Sequence, residues 1–171
     1  MRAARRRLIV SSITVALVVG FSSTTPAVAH VEVTPESVSR GSLSVLSFVV
    51  PNESPSASTI SFQIEFPTTR PIKSAAVQPI PGWTAAVEKD PASDAVRRIV
   101  WTGGTFGPNE FQQFVVRATL PGRGQRVTFK AVQTYSDGEV VRWIQETVKG
   151  APEPEHPAPV VHLTKEESAH D

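Results

Sequence analysis

The chain has 171 residues, with 17 lysines and arginines against 16 acidic side chains, no cysteine, and one methionine, the initiator. Without cysteine there is no disulfide framework, thiolate zinc site, blue-copper centre or cysteine nucleophile, and without an internal methionine there is no thioether for Cu(I). The slight basic excess belongs to the first 29 residues, so nothing in the charge suggests nucleic acid.

Residues 1–29 read as a cleaved signal peptide. Arg2, Arg5, Arg6 and Arg7 form a positive start, Leu8–Phe21 is an apolar stretch of 14 residues, and Ala27-Val28-Ala29 supplies the small-residue pattern that signal peptidase accepts. The stretch is shorter than the roughly 20 residues of a spanning helix. The arginine pair suits either bacterial export route. Four arginines and no acids leave with this segment, so the chain from His30 onward carries 13 basic against 16 acidic side chains. The mature protein is therefore expected to begin at His30 with a free α-amino group.

From His30 to about Gly150 the pattern is short apolar alternations separated by Pro, Gly, Asn and Ser, which predicts an all-β domain. The expected strands, in chain order, begin with His30–Thr34 and Ser42–Val50. In the second, Leu43 and Val45 share one face while Leu46, Phe48 and Val50 share the other, which a β-bulge or burial on both faces would explain. Ile60, Phe62, Ile64 and Phe66 then alternate with polar neighbours, the period of a half-buried strand. Pro71–Gln78, Thr84–Lys89 and Arg97–Thr102 follow. Phe114, Val116, Ala118 and Leu120 alternate again, as do Val127, Phe129 and Ala131, and Glu139–Val148 comes last. Asp137-Gly138 is the strongest hairpin signal. Eight or nine short strands in a segment of this size predict a two-sheet β-sandwich. After Gly150 the proline-rich run Ala151–Pro159 and a polar end predict a disordered tail over 151–171, carrying His156, His162 and His170 and no second membrane anchor.

His30 is the only histidine in the predicted domain. An N-terminal histidine can chelate one ion through its α-amino nitrogen and imidazole Nδ1, and nitrogen and oxygen donors without thiolates favour Cu(II). One histidine is thin warrant, and a chance position behind the cleavage site stands equally open at this point.

Four landmarks in order carry a resemblance: His30-Val31-Glu32-Val33-Thr34-Pro35; Gln78-Pro79-Ile80-Pro81-Gly82-Trp83; Gly107-Pro108-Asn109-Glu110-Phe111-Gln112-Gln113-Phe114; and Tyr135-Ser136-Asp137-Gly138-Glu139-Val140-Val141-Arg142-Trp143. Together they resemble the YcnI-like copper-binding family of exported bacterial proteins, over nearly all of His30 to Gln145. The resemblance implies a β-sandwich of cupredoxin or immunoglobulin type. It also implies a Cu(II) site in which His30 supplies amine and imidazole nitrogens, Glu110 supplies oxygen and Trp143 lies against the metal. By residue type alone Glu110 is a solvated turn carboxylate and Trp143 a core aromatic. Trp83, Trp101, Phe111 and Phe114 read as packing residues, and Gln112 and Gln113 as hydrogen-bonding support. Many family members carry a C-terminal membrane anchor, from which this polar end departs.

The function expected is therefore non-enzymatic binding of Cu(II) in sequestration, trafficking or delivery outside the cytoplasm. The implied partners are the copper ion and a membrane copper transporter or another envelope copper protein. Two other readings stand beside it. A copper monooxygenase needs a second histidine, and none occurs between Val31 and Glu155; a tail histidine would have to fold back. A metal-free sandwich used for adhesion or assembly would bind no copper. Ser-His-Asp hydrolysis is disfavoured because no nucleophile elbow is visible.

Overall fold

Paired apolar alternations build twelve strands and no helix among the described residues of a computed structural model, which are residues 30–165. The signal peptide assigned to residues 1–29, and His170 in the polar end, lie outside the described residues. The strands are β1 (Glu32–Thr34), β2 (Ser37–Ser39), β3 (Leu43–Pro51), β4 (Thr59–Glu65), β5 (Ala75–Val77), β6 (Thr84–Lys89), β7 (Val96–Phe106), β8 (Phe111–Thr119), β9 (Arg126–Thr128), β10 (Lys130–Tyr135), β11 (Val140–Trp143) and β12 (Val160–Thr164). They form a four-stranded sheet in the order β1-β3-β8-β5 and a five-stranded sheet in the order β11-β10-β4-β7-β6, both antiparallel throughout. A third sheet, β2-β12-β9, pairs β12 parallel with β2 and antiparallel with β9.

The two larger sheets pack face to face through their inward side chains, as a sandwich requires. Phe114 of β8 stacks on Phe62 of β4 with ring centroids 4.8 Å apart and meets Trp101 of β7 at 5.1 Å. Trp83 stands edge-on to Phe114 at 5.1 Å. Its indole occupies the space beside Gly104, where a Cβ would fall 2.2 Å from the ring, so a side chain at 104 would displace Trp83. Phe129, between β9 and β10, plugs the junction where the chain changes sheets, meeting Phe48 at 5.2 Å and Phe66 at 5.5 Å. The β10–β11 hairpin turns at Asp137-Gly138, with Gly138 at φ 94° and its amide donating to Tyr135.

Several sequence expectations need correction. In β3, Leu46, Phe48 and Val50 are buried while Leu43 and Val45 are exposed, and the register with β8 runs unbroken from Leu43 to Pro51. Neither a bulge nor two-sided burial is needed; the strand buries one face. In β4 the alternation breaks at its start, because the pairing with β7 shifts between Thr59 and Ser61. Thr59 is consequently fully buried and Ile60 is 40% exposed. Phe111 is also exposed, at the outset of β8. Glu139–Val148 shortens to β11, and Pro71–Gln78 to β5.

The largest correction concerns the end of the chain. Residues 151–165 are not a disordered tail: β12 lies between β2 and β9, with Val161 and Leu163 buried beneath it. Composition averaged over a proline-rich segment conceals five residues of alternation whose pairing partners, β2 and β9, lie far away in sequence. Burying a valine and a leucine contributes about 1.5–3 kcal/mol each, which offsets the ordering of this short strand.

Candidate metal centre

β1 and β11 are edge strands of the two larger sheets, and they lie at the same open side of the sandwich. His30 lies two residues before β1, and Trp143 closes β11 opposite Ala131. Their rings meet across the seam, edge to face, with centroids 6.0 Å apart. The structure thus brings together two of the three residues that the sequence singles out.

A buried polar chain holds the indole. Trp143 Nε1 donates to Gln133 Oε1 at 3.3 Å, and Gln133 Nε2 donates to Thr59 Oγ1 at 2.8 Å and to the Pro51 carbonyl at 2.9 Å. Gln133 has no exposed surface, so its amide is committed to these partners. It ties β11 and β10 to β4 and β3. Sequence reasoning passed over it, although one signal was present: Gln133 falls on the inward face of β10 between Ala131 and Tyr135. A polar residue inside an apolar alternation marks a buried network or a site.

Glu110 sits at the same end of the four-stranded sheet, just before β8. In the order β1-β3-β8 that is two strands from β1, or about 10 Å. Its carboxylate turns back on its own turn, accepting a hydrogen bond from the Gly107 amide at 2.5 Å. Asn109 at φ 60° makes that turn tight. As it stands, Glu110 serves as a turn cap and has no contact with His30. Gln112 donates to the Gln113 carbonyl at 2.9 Å.

The segment after β11 supplies what the sequence reading left in the tail. Residues 151–159 run back across the seam, anchored by Gln145. The His156 amide donates to Gln145 Oε1 at 2.6 Å, while the Gln145 amide donates to the His156 carbonyl at 3.1 Å. The imidazole of His156 lies edge-on to Trp143 with centroids 5.0 Å apart, and its Nδ1 is buried with no hydrogen-bond partner. Glu153 Oε1 lies 3.3 Å from His30 Nδ1. Beside this pair is a cavity of ≈ 230 Å³ whose lining includes Glu32, Glu36 and Glu153 together with His30, and no lysine or arginine.

The donors fit a divalent cation in character: imidazole nitrogen, carboxylate oxygen, no sulfur, and an orphaned buried imidazole nitrogen nearby. Among the described residues no three His, Asp or Glu side chains already converge on one point. A terminal brace takes one donor from the main chain, and in the uncut chain that nitrogen is the Ala29–His30 peptide.

The family model described as a domain of unknown function, DUF1775, matches residues 30–163. The chain is 31% identical over 122 residues to the copper-binding protein CutI of Bacillus subtilis (strain 168), covering 70% of this chain and 57% of that relative. It therefore spans a little over half of the relative's length. The crystal structure of an uncharacterized protein from Nocardia farcinica, with an immunoglobulin-like fold, is 38% identical and superposes with a TM-score of 0.71, covering 80% of this chain and 99% of that one.

Proposed function

This chain belongs to the DUF1775 family, the YcnI family of its sequence landmarks, and from that premise we propose that it binds Cu(II) at His30. The observation that supports this most directly is the meeting of His30 and Trp143 at the seam, beside a cavity lined by carboxylates and by no cation. The name of its Bacillus subtilis relative points to the same metal.

In this reading, removal of residues 1–29 frees the His30 amine. Amine and Nδ1 then close a six-membered chelate ring on one ion. Trp143 covers that ion with an aromatic face, excluding water and adding cation–π attraction. Glu110, released from Gly107, swings toward it as an oxygen donor. The ion is cargo that is sequestered, trafficked or delivered at the cell envelope, and the protein does not turn over a substrate. No helix among the described residues is long and apolar enough to cross a membrane.

The test compares a protein beginning at His30 with one carrying a single alanine before it. The extended protein should bind Cu(II) more weakly and show a different EPR spectrum; identical affinity and spectrum would rule out the brace. Trp143→Phe should abolish copper-dependent quenching of tryptophan fluorescence, and a full residual quench would transfer the role to Trp83 or Trp101.

One observation favours a second reading. His156 does fold back onto Trp143, which is the condition a copper monooxygenase would need for a further nitrogen ligand. Oxidation of a reductant or a polysaccharide well above the rate given by free copper would establish it.

A further inference from the structure

We propose that Glu153 is an additional oxygen donor to the copper ion held at His30, so that the segment returning from β11 completes the coordination. The inference rests on the reading of His30 as the copper site. Cu(II) with nitrogen and oxygen ligands prefers a square or tetragonal arrangement. The His30 amine, His30 Nδ1 and Glu110 provide three of its corners, leaving one to fill.

Glu153 is placed to fill it. Donors bound roughly 2.0–2.2 Å from one divalent ion, at a right angle to each other, lie about 3 Å apart. Glu153 Oε1 is 3.3 Å from His30 Nδ1, close to that separation, and Nδ1 is the imidazole nitrogen the chelate ring uses. The carboxylate comes to it on a built segment. Gln145 bonds to His156 and Ala158, Pro157 bridges to Gln145, and Ala158 is buried. His156 packs on Trp143, fixing the segment three residues beyond Glu153. Glu36 lines the same cavity without an ion pair or hydrogen bond to His30, which makes it the natural control.

The experiment uses the full mature chain beginning at His30, with Cu(II) as the probe. It combines competition titration against a chromophoric chelator, EPR with a count of strongly coupled nitrogens, and thermal melting of the metal-free protein. Glu153 is 68% exposed, so Glu153→Gln should melt with the wild type. Loss even of a supporting group around a metal costs about 10–100-fold in affinity, and Glu153→Gln should lose at least about 10-fold. Its g∥ and A∥ should shift with two nitrogens retained, while Glu36→Gln stays within about threefold of wild type. An affinity within twofold of wild type and an unchanged spectrum would overturn the assignment. So would a third coupled nitrogen that vanishes in His156→Phe, since that corner would then belong to His156. If the alanine-extended protein also binds as the wild type does, the His30 reading itself fails. If only Glu153→Gln is silent, the fault lies with Glu153 alone.

Discussion

Replacing Gln133 by leucine tests the buried network that fixes the indole at the candidate site. Leucine nearly conserves the volume, so little cavity is made and the loss isolates hydrogen bonding. The substitution strands the Trp143 N–H, the Thr59 hydroxyl and a lone pair of the Pro51 carbonyl, all partners of an amide with no exposed surface. A buried donor or acceptor left unmade costs about 1–3 kcal/mol. The Trp143 bond is long at 3.3 Å, the Thr59 hydroxyl can rotate toward another acceptor, and a carbonyl keeps a second lone pair. We therefore count the equivalent of about one and a half full losses, or about 2–4 kcal/mol. For a domain of this size that lowers Tm by about 6–16 °C. Urea unfolding followed by circular dichroism and by tryptophan emission measures it, with the m-value as a check that the transition stays two-state. A loss below about 0.5 kcal/mol, the scale of an ordinary surface substitution, would refute the claim that this amide holds the seam together.

Three further outcomes follow from the fold. Leu163→Ala should destabilise the protein by about 2–4 kcal/mol in the same urea assay, since buried Leu→Ala changes cost about 2–5; no change would mean that the last strand is not docked. Ile60→Ser should stay within about 0.5 kcal/mol because the register shift at Thr59 leaves that side chain outside, and a core-sized loss would restore the unbroken alternation. The Tyr135 phenol is held above its usual range, first by burial and then by the charges of Glu53, Glu139 and Asp137, against a lowering bond to the Glu53 backbone. The folded state binds that proton more tightly than the unfolded state does. Its contribution is thus fully present below the unfolded value of about 10 and is lost as pH rises past it. Tyr135→Phe should flatten the alkaline fall in Tm between about pH 9 and 11, and an unchanged slope would show that another group causes it.

Strand alternation made much of the sandwich legible. Phe62, Ile64, Phe114 and Val116 announce inward faces, and Asp137-Gly138 announces its hairpin, because those signals are local. What escaped depends on partners distant in sequence. Ile60 reads as core until the register of β4 slips, by one residue against β10 and by two against β7, and no property of β4 alone reveals this. Val161 and Leu163 look like the end of a polar tail until β2 and β9 offer them edges. The site divides in the same way. His30 was visible from its place behind Ala29, and Trp143 from the landmark that carries it, but only folding shows their rings in contact. Glu153 and His156 were hidden by the composition of their segment, and Gln133 by its ordinary type.

The last described strand runs beside β2, and the segment before it reaches His30, two residues ahead of β1, through Glu153. An ion gripped by both His30 and Glu153 would therefore act as a removable clasp between the two ends of the domain. Closing a loop of that length takes more entropy from the unfolded chain than closing a short one. Copper would then do more than occupy a surface niche: it would oppose fraying of the first and last strands together. A chain not yet complete, or one peeled open at either edge, would hold only half of the clasp.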